Sequence, residues 1–201
     1  MSISAYTGWD VGGAHLKVAS ISNTGKLEFV EQYGTPLWQG LHCLEEIFPV
    51  SISQLPAAGM HHTVTMTAEL VDIFTDRKDG IKQLIKLCKR HLGTGFDFYT
   101  YRNGLSDIHY AYNNPEQVAS ANWHATASYA AQCIESGILV DLGSTTTDII
   151  PFSNGRLNNR GDDDQGRLRF GELIYTGVIR TPVMALAQQA PFNGEWQHLA
   201  A

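Results

Sequence analysis

The residues best suited to chemistry lie in Ile138 to Ile150, which reads Ile-Leu-Val-Asp-Leu-Gly-Ser-Thr-Thr-Thr-Asp-Ile-Ile. Acids, a glycine and four hydroxyl residues stand there between two apolar runs. Such a set can hold a phosphate. Gly143 lets the backbone come close to an anion, while N–H groups and the hydroxyls of Ser144, Thr145 and Thr146 can point at its oxygens. Asp141 or Asp148 can hold a magnesium ion beside them. For this stretch in isolation, an ordinary hairpin with a Ser/Thr-rich turn accounts for the pattern equally well.

The pattern occurs twice. Tyr6 to Ile21 contains Trp-Asp-Val-Gly-Gly-Ala-His-Leu-Lys, and placing Asp10 on Asp141 also places Gly12 on Gly143 and Gly13 on Ser144. The apolar run after Lys17 then matches the run after Asp148. A repeat of this kind predicts two related sheets facing one cleft, each offering a turn to the same phosphate chain. Lys17 is a further partner for phosphate. Glu69 follows the alternating run Thr63 to Thr67 at a strand-to-helix junction, where α/β sheets place ligand-contacting groups. It is suited to be a general base or a metal ligand, or a helix-start carboxylate favoured by the dipole. Asn122, an amide inside an alanine-rich helix, requires a specific partner. Asp162 to Asp164 form either a solvated loop or a cation site.

These residues need a framework to place them. The spacing predicts strands on both sides of each turn, with Ile138 to Val140 buried, and a third strand over Leu27 to Tyr33. It predicts a short helix after Pro36 that Pro49 ends, and an amphipathic helix over Ile81 to Leu92 capped by Gly93. An aromatic strand over Phe96 to Tyr101 and a loop at Tyr110 to Asn114 come next. A helix from Asn114 to about Ser136 follows. Gly171 to Gly177 reads as a short helix, Val183 to Ala187 as a strand, and Asn193-Gly194 as a hairpin turn.

Composition narrows the function classes. The 201 residues, 43% hydrophobic and 17% charged, are ordinary globular composition. A net charge of -6 without a basic patch argues against nucleic acid or an anionic membrane as partner. Cys43, Cys88 and Cys133 lack paired spacing, which favours a reduced, cytoplasmic setting. No run of about 18 apolar residues suggests a membrane span.

Several segments together resemble one family. They are Gly8 to Lys17, Met66-Thr67-Ala68-Glu69-Leu70, Ala121-Asn122-Trp123-His124-Ala125, Val140 to Asp148, and Gly171 to Gly177 through Arg180-Thr181-Pro182. The chain is similar to the hydantoinase/oxoprolinase-like proteins of the tetrahydromethanopterin-linked one-carbon pathway. The resemblance implies an α/β, ribonuclease H-like fold of the acetate and sugar kinase, Hsp70 and actin superfamily. Residues 1–137 would form an actin-like first lobe with inserted helices, and residues 138–201 the start of a second lobe. Family members continue past the final hairpin, so the second lobe is expected to be incomplete. The resemblance further implies a transferase of methanofuran-type cofactor biosynthesis, joining a furanmethyl diphosphate to a phenol with release of diphosphate. Gly12, Gly13, Gly143, Ser144, Thr145 and Thr146 would line the phosphates, Asp10, Asp141 and Asp148 would place magnesium, and Glu69 would take the phenol proton. An ATP-dependent amide hydrolase or small-molecule kinase uses the same turns and remains open, as does a non-catalytic module that self-associates.

Overall fold

The computed structural model describes residues 5–56, 60–179, 181 and 183–199, and the chain divides into two compact units, Met1–Ala125 and Thr126–Ala201. The N-terminal unit is built on six strands: β1 (Ala5–Val11), β2 (His15–Ser22), β3 (Leu27–Gly34), β4 (Met60–Met66), β5 (Phe96–Thr100) and β6 (Gly104–Asp107). They form one sheet in the order β3-β2-β1-β4-β5-β6, with β4 parallel to both β1 and β5 and the other pairs antiparallel.

Alternation decides the two faces of this sheet. Trp9, Val11, Leu16, Val18, Val64 and Met66 point to one side, where they are buried with Leu44 and Phe48 of α1 (His42–Ser53) and Ile81, Leu84 and Ile85 of α2 (Arg77–Leu92). The expected α2 and its Gly93 cap are present, with Gly93 at φ 81°. The opposite face carries Gly8, Asp10, Lys17, Ala19, Thr63 and Thr65, which line a cavity of about 640 Å³.

Several expectations are corrected. Pro49 lies inside α1 rather than ending it. The ring removes one donor, but continuing the helix buries Ser51, packs Ile52 against the core and lets the Ser51 hydroxyl donate to the Phe48 carbonyl at 2.8 Å. The segment predicted as a loop is α3 (Ile108–Asn113), because the Asp107 carboxylate accepts from the Tyr110 N–H at 2.8 Å. The long helix from Asn114 is broken into a 3-10 turn, Pro115–Gln117, and α4 (Asn122–Cys133). Between them Ser120 has φ 50°.

The C-terminal unit contains β7 (Ser136–Leu142), β8 (Thr147–Ser153), β9 (Arg156–Leu157), α5 (Asp164–Phe170) and β10 (Leu173–Ile174). Strand β8 is central, antiparallel to β7, β9 and β10. Strand β7 is at the edge of this sheet, so Ile138 and Val140, expected to be buried, are 64% and 50% exposed. The aspartate run does local work: the Asp163 carboxylate accepts from the Gly166 N–H at 2.7 Å and starts α5, which Gly171 ends in the left-handed conformation. Gly171 to Gly177 therefore follows a helix and includes β10 instead of forming one. Val183 to Leu186 is one turn of helix, α6, instead of a strand. The expected hairpin is present as β11 (Gln189–Phe192) and β12 (Glu195–His198), turning at Asn193 and Gly194 with φ 51° and 86°. Arg180 and Pro182 of the last motif lie outside the described residues. Among the described residues no helix is long and apolar enough to cross a membrane.

Candidate functional site

The two turns have the same internal geometry. In the N-terminal unit, Val11 pairs with Leu16 and the Gly12 N–H donates to the His15 carbonyl at 3.0 Å. In the C-terminal unit, Leu142 pairs with Thr147 and the Gly143 N–H donates to the Thr146 carbonyl at 2.8 Å. The matching of Asp10 with Asp141 and Gly12 with Gly143 is thus present in hydrogen bonds.

In each turn a later segment occupies the carbonyls. Leu37 N–H donates to Gly13 O at 2.9 Å and Thr35 N–H to Ala14 O at 2.8 Å. Val178 N–H donates to Gly143 O at 3.0 Å and Ile179 N–H to Ser144 O at 3.1 Å. With the carbonyls tied back, the N–H groups of Gly13, Ala14, Ser144 and Thr145 have no acceptor among the described residues. Successive amides in this state suit an anion. The first turn is also sterically closed: a Cβ on Gly13 would stand 2.6 Å from Val71 Cγ2.

The acids beside the turns are held differently. Asp10, opposite Lys17 in the ladder, accepts from Lys17 Nζ at 3.1 Å and from Thr65 Oγ1 at 3.2 Å. Asp141 is exposed and faces Asp148 across β7 and β8. Asp148 is paired with Arg167, which is 2% exposed and also donates to the Glu172 carbonyl at 3.2 Å. Burial raises the Asp148 carboxyl above its ordinary value, Arg167 pulls it back, and Asp141 and Asp164 push it up again. The Glu172 carboxylate accepts from the N–H groups of Arg160 and Gly161 at 2.6 and 2.9 Å, which braces the loop before α5. Among the described residues no three His, Cys, Asp or Glu side chains are placed together to hold a metal.

Glu69 lies in a 3-10 turn, Ala68–Leu70, just after β4, and its side chain has no exposed surface. Its Oε1 accepts from the Ser120 hydroxyl at 2.7 Å and from Arg77 NH2 at 3.3 Å. Tyr101 OH donates to the carbonyls of Ala119 and Ser120 at 2.8 and 3.0 Å, so the strained Ser120 is held at both ends. Asn122 is half-buried at the first residue of α4. Arg77, Ser120, Arg167 and Glu172 had not been singled out by sequence. Their partners lie 51 residues apart for Glu69 and Ser120 and 19 for Asp148 and Arg167, with no local spacing to mark them.

Burial lifts the Glu69 carboxyl above its ordinary 4.5, against the opposing effects of Ser120 and Arg77. The folded chain therefore binds this proton more tightly than the unfolded chain. Its stabilising contribution is complete below about pH 4.5 and is lost as pH rises through the folded value. Glu69→Gln removes that loss. In urea unfolding from pH 4 to pH 7, the variant should gain on the wild type as pH rises, and a constant difference would contradict this account.

The sequence pattern of the Hydantoinase/oxoprolinase family matches residues 61–188. A (4-{4-[2-(gamma-L-glutamylamino)ethyl]phenoxymethyl}furan-2-yl)methanamine synthase of Methanocaldococcus jannaschii is 32% identical over 196 residues, which cover 96% of this chain and 57% of that protein. A synthase of the same name from Methanococcus vannielii is 43% identical over 68 residues, 33% of this chain and 30% of that protein. The chain thus spans little more than half the length of the first of these relatives and matches less than a third of the second. Similar solved structures include an Aquifex aeolicus member of the Ppx/GppA family, 16% identical, covering 78% of this chain and 50% of that one with a TM-score of 0.43. An exopolyphosphatase from Cytophaga hutchinsonii is 10% identical, covering 83% and 52%, with a TM-score of 0.42. The matched pattern spans most of the chain, β4 to β10 included, and the chain belongs to the hydantoinase/oxoprolinase family.

Proposed function

We propose that this chain belongs to a magnesium-dependent transferase that makes an aryl ether in the biosynthesis of a methanofuran-type cofactor. The product named for its relatives contains a phenoxymethyl link between a γ-glutamylated aminoethylphenol and a furan. A phenol oxygen attacking the methylene carbon of a furanmethyl diphosphate would form that C–O bond. The bond from the carbon to the diphosphate oxygen breaks, diphosphate leaves with the electron pair, and the phenol proton passes to water.

The observation that carries this reading is the turn at Gly143 to Thr146, whose Ser144 and Thr145 amides have no acceptor among the described residues and whose segment adds three hydroxyls. Donors aimed at a leaving diphosphate stabilise the charge that builds on it. Asp141 and Asp10 are the acids beside each turn. Magnesium held by such carboxylates would supply Lewis-acid stabilisation of the same leaving group. Glu69, enclosed and already bonded, has a holding role in this reading rather than that of the base.

The test is turnover of a furanmethyl diphosphate and the glutamylated phenol with magnesium, read by mass spectrometry of the ether. Asp141→Ala and Asp10→Ala should each lower the rate on the order of 100-fold. Unchanged turnover in both would sink the assignment. Tighter calorimetric binding of magnesium-ATP than of the diphosphate would favour the ATP-dependent alternative.

A further inference from the structure

Strand register sorts the side chains on the open face of the N-terminal sheet into rows. Nearest the first turn, Thr65, Asp10, Lys17 and Gln32 stand side by side across β4, β1, β2 and β3. Two residues further from the turn, about 7 Å along the strands, the row is Thr63, Gly8, Ala19 and Val30. Both rows line the cavity of about 640 Å³. One wall of it is formed by the cross-strand partners Tyr99 and Leu105, and the Tyr99 hydroxyl is hydrogen-bonded to His124 Nδ1 at 2.9 Å.

Gly8, in the middle of this lining, is not required by the fold. It sits inside β1, paired with Ala19 on one side and Thr63 on the other, and its φ lies outside the left-handed region. A Cβ there would meet Thr63 Oγ1 at 3.9 Å and nothing else within 4 Å. Glycine weakens a strand interior, and where neither φ nor a neighbour calls for it, it marks close approach by a ligand or a second backbone. The rows decide between these two. A polar row next to the turn whose Gly13 and Ala14 amides have no acceptor among the described residues, followed by a row of small and apolar side chains, matches a small molecule with an anionic head and an apolar ring.

We propose that this cavity binds the furan ring of the diphosphate substrate, with Gly8 and Ala19 under the ring and the diphosphate at the first turn. This rests on the reading above, in which ring and diphosphate are one methylene apart. The other substrate has the wrong polarity for these rows, because its charged glutamyl group lies at the opposite end from its reacting phenol oxygen. Gly8 is then a specificity-determining residue, acting by the room it leaves.

The test is calorimetry on the whole chain with furanmethyl diphosphate, inorganic diphosphate and γ-glutamyl-tyramine, each with magnesium. Gly8→Val fills the space above β1 with a residue that strands favour, so its melting temperature should equal or exceed that of the wild type. It is expected to weaken furanmethyl diphosphate tenfold or more while changing inorganic diphosphate less than twofold. Leu105→Lys, on the exposed edge strand β6, should weaken the same probe by about fivefold without filling the cavity, and keeps the test decisive if Gly8→Val folds poorly. Unchanged affinity for the furan ester in both variants overturns the assignment, as does a wild type that binds the ester no better than inorganic diphosphate; either result leaves the proposed reaction standing. Selective loss of γ-glutamyl-tyramine gives the cavity to the phenol instead, and a wild-type dimer that Gly8→Val dissolves gives it to a second copy, each overturning the furan site. If the wild type binds none of the three probes, the proposed reaction falls, and this site with it.

Discussion

Arg167→Met is expected to cost the C-terminal unit about 3–5 kcal/mol, the usual loss when one partner of a buried ion pair is removed. Arg167 is buried, holds Asp148, and reaches the Glu172 carbonyl of the segment that pairs with β8. Without it Asp148 would face Asp141 across the ladder with no countercharge, in surroundings that already raise its carboxyl. Asp148 follows the same sign as Glu69: its raised value favours the folded chain at low pH, and that contribution is lost as pH rises above the ordinary 3.8. The loss in Arg167→Met should therefore be largest near neutrality and smaller at pH 4. Adding Asp148→Asn should restore most of it, since no charge is then left buried. Urea unfolding measures all three proteins, and a loss below 1 kcal/mol at pH 7 would show that Arg167 does not hold this unit together.

Gly177→Ala is expected to damage the second turn directly. A Cβ there would lie 2.5 Å from Ser144 C, Ser144 O and Thr145 N, all backbone atoms that cannot rotate away. Gly177 itself is fixed, donating its N–H to Thr181 Oγ1 at 3.1 Å and accepting from the same hydroxyl at 2.9 Å. The clash should cost about 2–3 kcal/mol of stability. Because the displaced atoms carry the amides without acceptors, diphosphate affinity should fall with it. Gly34→Ala, whose Cβ meets nothing within 4 Å, is the control and should be nearly silent in both measurements. Equal melting temperatures and equal diphosphate affinities for Gly177→Ala and wild type would refute the tight approach.

The hairpins were legible in sequence because a hairpin is local: alternation sets the faces, and glycine marks the turn. Asp10 opposite Lys17 and Asp141 opposite Asp148 follow from that register alone. The arrangement around Glu69 was not legible. It needs Ser120 in a conformation that serine rarely adopts, inside a stretch whose Pro115 and alanines favour an unbroken helix. Long-range bonds from Tyr101, Arg77 and Glu69 outweigh that local preference. The exposure of Ile138 and Val140 was likewise invisible, since an edge strand and a central strand can share one composition.

The parallel pairing of β1 with β4 also sets an order of assembly. The β1–β2 and β7–β8 hairpins join residues close in sequence and can form early, whereas β1 meets β4 across 55 residues, from Ala5 to Met60 and from Val11 to Met66. Closing so long a loop is slow relative to forming a hairpin. Thr67 and Val71 reach Gly12 and Gly13 only once that pairing exists, so the first turn matures with the non-local step of folding, after its own strands have met.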